Sequence, residues 1–460
     1  MPVLPKKPGI RRLIPHRLFR LTSASAASGS QGLLYDGEPE NCRRRWREFL
    51  SIIVHLLLMQ LIFDAFRLET RLFRALVLLA TAALPVHYMA PYRWKKPIFV
   101  AVSILGMIVV NGLSASAGVL AVSAVLLVFA TAPFPWRARA LLIAALAMLL
   151  AALRSQAGSS AEAISNGFIP VVGTMFMFRM IIYLYEQKHA QGRESLVDTL
   201  SYFFVLPNFV FPHFPVIDYR AFQRGYFARG IHEIQRTGVA MMSRGTMHLF
   251  LYRVIDRLLL ISADAVHDPL SLASYMVFNY LLYLRVSGQF HMACGLLHLF
   301  GFELPETHHN YLLATGFTDY WRRINIYWKD FMVRIVFNPL VFGLRRWPRP
   351  ASLAAATAVV FLVTWLLHAY QSYWLRGIWG FSVPDALFWG ILGILVMINV
   401  QFDARRGATR GRGRSRSPLS WVVHASRIVG TFATIALLWS LWSSPSVEAW
   451  LNLIRRGLEI

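Results

Sequence analysis

From residue 48 onward, long apolar runs follow one another with short polar breaks between them. An α-helix needs about 20 apolar residues to cross the hydrocarbon core of a bilayer. Runs of that order lie near 48–67, 72–90, 97–112, 115–132, 138–153 and 164–185, and again near 352–375, 384–402 and 421–443. The third and fourth are rich in Gly, Ala and Ser, which permits close helix packing. The stretch Phe203–Tyr219 is different: Pro207, Pro212 and Pro215 forbid a regular helix there, yet the residues around them are aromatic and apolar. That combination predicts a re-entrant or interfacial loop buried against protein. Residues 239–262 are ambiguous, because Arg244, His248, Arg253, Asp256 and Arg257 interrupt them. Residues 272–300 are apolar but carry Arg285, Ser287, Gly288, Gln289 and His291, and 308–345 is amphipathic and aromatic. The pattern predicts an all-α polytopic membrane protein with about 11 transmembrane helices, and re-entrant segments around an intramembrane tunnel. No internal repeat is visible.

Composition agrees with this reading. Of the 460 residues, 56% are hydrophobic and 15% charged, against about 25% charged in a soluble domain. Lys and Arg outnumber Asp and Glu by 47 to 23, a net charge of +24. The basic residues flank the apolar runs, as cytoplasmic loops require, so membrane lipids are the expected partners and nucleic acid is not. Residues 1–47 form a basic arm with no apolar stretch before Leu50, which is not a secretory signal. The arm is expected in the cytoplasm, and the protein in a bacterial inner membrane. Arg345, Arg346 and Arg349 precede one late run, and Arg405, Arg406, Arg410, Arg412, Arg414 and Arg416 lie between the last two. Both groups belong on the cytoplasmic side, so the run 352–375 points outward. The chain then divides into the arm 1–47, the N-terminal helices 48–194, a core 195–402, an Arg-rich cytoplasmic loop 403–420, and a last helix with tail, 421–460. Cys42 and Cys294 make neither a disulfide framework nor a metal cluster. A free thiol is the simpler reading of Cys42, with reversible acylation as its rival.

His368 stands out because imidazole inside hydrocarbon is costly and usually functional, and because its ordinary pKa, about 6.5, suits proton transfer at neutral pH. It lies roughly 24 Å along its helix, at 1.5 Å per residue, in the outer half of the membrane. A donor arriving from the cytoplasm would need a tunnel to reach it. A polar cluster precedes it, Asp319-Tyr-Trp-Arg-Arg-Ile-Asn325-Ile-Tyr-Trp-Lys-Asp330.

Several segments, in order, resemble the membrane-bound O-acyltransferase family, and its bacterial alginate O-acetylation branch in particular. They are Leu206-Pro-Asn-Phe-Val-Phe-Pro212, Ser287-Gly-Gln-Phe-His-Met-Ala-Cys-Gly295, Phe300-Gly-Phe-Glu-Leu-Pro-Glu306, Thr318-Asp-Tyr-Trp-Arg-Arg-Ile-Asn-Ile326, Pro339-Leu340 and Trp365-Leu-Leu-His368-Ala. The resemblance covers about residues 195–400 and makes this the catalytic core. Asn325 stands where the branch has its first histidine, Ile324 where it has tryptophan, and His291 where it has aspartate. Sterol and diacylglycerol acyltransferases of the superfamily also carry asparagine at that place.

The resemblance implies transfer of an acyl group, acetyl or another short chain, from a thioester to a hydroxyl of a polysaccharide, lipid or metabolite. The donor is an acyl-CoA or acyl carrier protein, acting as co-substrate with no bound cofactor, and an extracytoplasmic partner protein fits the same picture. His368 is then the base that deprotonates the hydroxyl; read without the resemblance, a buried structural histidine is equally good. Asn325 either polarises the carbonyl or caps a helix. Arg322 and Arg323 either meet donor phosphates or mark a membrane boundary, and Trp321 and Trp328 read more readily as interfacial anchors than as substrate contacts. Gln289 and His291 are expected with Asn325 on an inward-facing wall at 287–330. The histidines are adjacent or scattered rather than convergent, so no metal is expected. No nucleophile elbow or phosphate loop occurs, so a covalent enzyme intermediate is not expected. Two rivals remain: a transporter or flippase, and a non-catalytic scaffold of an envelope assembly complex.

Overall fold

The computed structural model describes residues 38–156, 171–188, 194–211, 217–407 and 418–459. Among these no strand occurs; an isolated bridge joins Tyr226 and Phe302. The N-terminal helices are α1 (Trp46–Phe66), α2 (Arg71–Met89), α3 (Tyr92–Thr131) and α4 (Trp136–Gln156). After a π turn, Val171–Phe176, come α5 (Met177–Gln187), α6 (Leu196–Phe203) and α7 (Tyr219–Arg224). The middle of the chain forms α8 (Ile231–Val254), α9 (Pro269–Leu281), α10 (Leu284–Leu299), α11 (Phe317–Arg323), α12 (Ile326–Met332) and α13 (Asn338–Gly343). The last four are α14 (Arg349–Arg376), α15 (Val383–Gly407), α16 (Pro418–Trp442) and α17 (Val447–Leu458).

Among the described residues seven helices, α1–α4 and α14–α16, are long and apolar enough to cross a membrane, the composition of an integral membrane protein. The pattern had suggested about 11. The runs at 97–112 and 115–132 are not separated by a loop; α3 passes through both, broken only at Gly112. Its φ of 77° and ψ of 169° fall in a region essentially closed to side-chain-bearing residues. The run at 164–185 lies partly outside the described residues, and the rest of it is the π turn and α5. The run at 272–300 divides at Leu282 and Tyr283 into α9 and α10. The Arg-rich 408–417 and most of the basic arm also lie outside the described residues.

Helices α8 and α10 are not among the seven: α8 is too polar and α10, with 16 residues, is too short, and they hide polar residues against each other. Gln235, Thr246, Ser287, His291 and His298 are all buried. The pair is antiparallel and meets at glycines: Gly238 faces Gly295, and Gly245 faces Gly288. A Cβ on Gly245 would lie 2.8 Å from the Gly288 carbonyl oxygen, and one on Gly295 would lie 2.5 Å from that of Gly238. Because the obstacle is backbone, no rotamer change relieves it. Gly245→Val is therefore expected to destabilise the protein by about 1–3 kcal/mol or more, the range for overpacking. Thermal melting in detergent checks this, and an unchanged Tm would mean that the two helices can separate freely.

Helix ends are held by side chains. Thr70 caps α2 by accepting from Phe73 N at 3.2 Å. At its other end Lys95 donates to the carbonyls of His87 (2.7 Å) and Tyr88 (2.9 Å), and Arg44 donates to those of Tyr88 (3.1 Å) and Ala90 (3.2 Å). Cations at a helix C-terminus satisfy orphan carbonyls and oppose the helix dipole.

Two large apolar cores result, with smaller clusters beside them. The first joins α1–α3, α8, α10 and the buried segment 202–211. That segment is a 3-10 turn at Leu206–Phe209, all four residues buried, so the chain at Pro207 is not α-helical and is covered by protein; Pro212 and Pro215 lie outside the described residues. The second core joins α9, α11, α12 and α14–α16. It contains the residues around His368.

Candidate functional site

The site is built at the turn between α11 and α12. Asn325 has φ 38° and ψ 61°, a left-handed conformation that asparagine adopts more readily than most residues. Its Oδ1 accepts from Trp328 N at 3.4 Å and caps α12. Its amide nitrogen engages no partner among the described residues. The turn is held in place from outside. Ile326 N donates to Thr307 O at 2.7 Å, and His309 N donates to Arg323 O at 2.9 Å.

Capping fixes the first turn of α12 and with it Trp328. The Trp328 ring lies 5.4 Å from that of His368 on α14, tilted by 32°. On the other side His368 stacks on Trp389 of α15, at 4.7 Å and 20°. The imidazole is thus held between two indoles, half-buried. Phe178 meets Trp328 and Tyr370 edge-on at 5.7 and 6.0 Å. Indole faces attract cations, so the two rings suit a positive charge on the imidazole. Asn325 and His368 therefore converge on one residue, Trp328, the first through a backbone bond and the second through its ring.

The other residues named from sequence fall into two groups. Trp321 packs its ring 4.7 Å from Phe361 of α14, within the second core. Arg323 is engaged structurally, pairing with Asp319 at 2.8 Å and reaching Asn310 O at 3.5 Å. Burial works against the Asp319 carboxylate, but hydrogen bonds from Thr315 and Arg323 outweigh it and hold its pKa below the ordinary value. Arg322 is exposed and has no partner among the described residues. Trp321 and Trp328 are both half-buried against other aromatic rings.

Gln289 and His291 belong elsewhere, on α10. Gln289 donates to Glu69 at 3.0 Å, and Arg285 grips the same carboxylate at 3.1 and 3.2 Å. The Glu69 side chain is only 1% exposed, and three donors offset the cost of burying its charge. His291 is buried with its ring 5.3 Å from His248 and 6.1 Å from His308. His248 bonds Ser287 at 2.9 Å and His308 bonds Tyr283 at 2.9 Å. The three rings pack edge-on or tilted. Among the described residues no group of three His, Cys, Asp or Glu side chains converges as a metal site. Cys42 is buried against Phe227 and Ile231, out of reach of acylation, and Cys294 lies 3.8 Å from the Tyr327 hydroxyl.

Sequence reasoning missed Trp389 and the carboxylate behind it. Asp385 is 8% exposed in the first turn of α15. It accepts from the indole nitrogens of Trp365 and Trp442, each at 2.6 Å. An acid inside an apolar run was the available signal. Comparison with known proteins finds no family model that matches the chain and no curated protein that matches it.

Proposed function

We propose that the chain is a membrane-embedded O-acyltransferase that moves a short acyl group from a thioester to a hydroxyl. The observation that carries the reading is the convergence of His368 and Asn325 on Trp328. His368 takes the proton of the acceptor hydroxyl as its oxygen attacks the thioester carbon. The Asn325 amide donates to the oxyanion that forms. When the carbon–sulfur bond breaks, the departing thiolate receives the proton back from His368, so the enzyme returns to its starting state. Arg322, exposed beside this turn, is the group suited to the phosphates of the donor. Arg323 is already committed to Asp319.

In this reading the buried turn at Leu206–Phe209 belongs to a re-entrant segment, and a tunnel brings the donor from the cytoplasm. The same reading has the start of α14 and the 403–420 loop, both rich in arginine, on the cytoplasmic side of an inner membrane. The acceptor is a polysaccharide, a lipid or a metabolite, presented with or without an extracytoplasmic partner.

Purified protein in lipid nanodiscs, given acetyl-CoA or acetyl-loaded carrier protein, tests the reading. Acceptor-dependent release of free thiol is expected, with the acetyl group recovered as an oxygen ester. Absence of thiol release with both donors across polysaccharide, lipid and small-alcohol acceptors, from monodisperse protein, would leave a transporter or a scaffold.

A further inference from the structure

We propose that Asp385 is a positioning residue for His368: it holds the indoles of Trp365 and Trp442 on its two oxygens, and the joint it makes between α14, α15 and α16 keeps Trp389 stacked against the imidazole. The inference rests on the reading of His368 as the base.

The geometry is specific. An indole nitrogen only donates, and an ionised carboxylate only accepts. Each oxygen of Asp385 takes one indole, from two different helices, at 2.6 Å. Such bonds to a charged acceptor are short and strong. Asp385 sits in the first turn of α15, where the helix dipole favours a negative charge, and Ser382 Oγ accepts from its backbone nitrogen at 3.2 Å. The carboxylate is therefore provided for at a buried position.

From this joint the path to His368 is short. Trp389 lies one turn beyond Asp385 on α15, and Trp365 lies one turn before His368 on α14. Trp442 reaches Trp389 at 6.0 Å and stacks on Phe388 at 4.7 Å. Both the imidazole and the indole it stacks on are thus one helical turn from a residue of the joint. A shift of α14 against α15 would rotate the ring plane that presents the basic nitrogen. A misplacement of about 1 Å can cost about 10²-fold in rate.

Full-length protein in nanodiscs, with its histidines labelled at Cε1, gives a readout that does not need activity. The His368 resonance is identified by its loss in His368→Gln. In the wild type it is expected to carry an upfield ring-current shift from Trp328 and Trp389. Asp385→Asn keeps the shape but offers one acceptor oxygen and sets an amide N–H against the other indole N–H. The shift is expected to shrink toward that of a free histidine. Trp365→Phe, which removes one donor and keeps a ring, should move it the same way and carries the test if Asp385→Asn does not fold. Where transfer is measured, kcat is expected to fall by about tenfold or more with KM unchanged. An unmoved His368 resonance in both folded variants would overturn the proposal. A moved resonance in a protein that transfers no acyl group would keep the coupling and remove the acyl-transfer reading instead.

Discussion

His368→Phe is expected to fold as the wild type does and to lose acyl transfer by about 10² or more, the scale of a general base. Phenylalanine is the informative choice because of the sandwich. Each aromatic pair is worth about 0.5–1.5 kcal/mol beyond the area it buries, and His368 makes one on each face, with Trp328 and Trp389. Alanine would remove the base and both stacks together, and a fall in activity could then come from displaced indoles. Phenylalanine keeps a flat ring in the gap and removes only the nitrogens. His368→Gln makes the opposite exchange, losing the ring but keeping polar atoms. Loss in both variants, with thermal melting unchanged in His368→Phe, is the expected pattern. Turnover at the wild-type rate by His368→Phe would take the imidazole out of the mechanism altogether.

The membrane helices were legible because hydrophobic length is a local property. The runs at 48–67, 72–90, 352–375, 384–402 and 421–443 reappear within a few residues as α1, α2, α14, α15 and α16. Where polarity is satisfied by a distant partner, local reading fails. Helices α8 and α10 look too polar to be buried until Gly238 and Gly245 are seen against Gly295 and Gly288. Gln289 reads as a wall of the site on its own helix, yet it faces Glu69, 220 positions away in the chain. Helix α17 reads as a tail in the sequence. Its twelve residues are strongly amphipathic and so announce a face to bury, but not the partners, Val266 and Leu272, on which Leu453 packs.

The site divides along the same line. His368 could be named because it is polar in an apolar run, and Asn325 because it stands in the polar cluster 319–330 at a motif position. Trp328 was named too, but its ring contact was not, since α12 and α14 are brought together only by the second core. Trp389 is one tryptophan among 14, with nothing in its surroundings to single it out. Asp385 had a signal that went unused, because an acid at the first turn of a helix is also what the helix dipole favours. The two roles are compatible here: the same charge that suits the helix end collects two indoles from other helices.

Asn325 offers the sharpest separation of fold from chemistry, because only one of its two amide atoms is engaged. Oδ1 is spent on the cap, accepting from Trp328 N, and in the proposed reaction the amide nitrogen donates to the oxyanion. Asn325→Asp keeps the cap, since aspartate caps as well as asparagine does, and its charge suits a helix N-terminus. It tolerates the left-handed turn as well. Its carboxylate has no N–H to give and would repel a developing oxyanion. Stability is therefore expected to be unchanged while kcat falls by about 10²–10³, the loss typical of one oxyanion donor. Asn325→Gly accepts the positive φ, weakens the cap by only a few tenths of a kcal/mol, and is expected to lose activity to the same degree. Asn325→His should retain part of the rate, because a neutral imidazole can donate. Asn325→Ala is a poor test: it loses about 1 kcal/mol of cap and strains the left-handed turn by about 1–2 kcal/mol, so a lower rate could follow from a displaced Trp328. The decisive comparison is Asp against wild type, in thermal melting and in turnover. Full activity in Asn325→Asp would reduce Asn325 to a helix cap and leave His368 as the whole of the catalytic machinery at this turn.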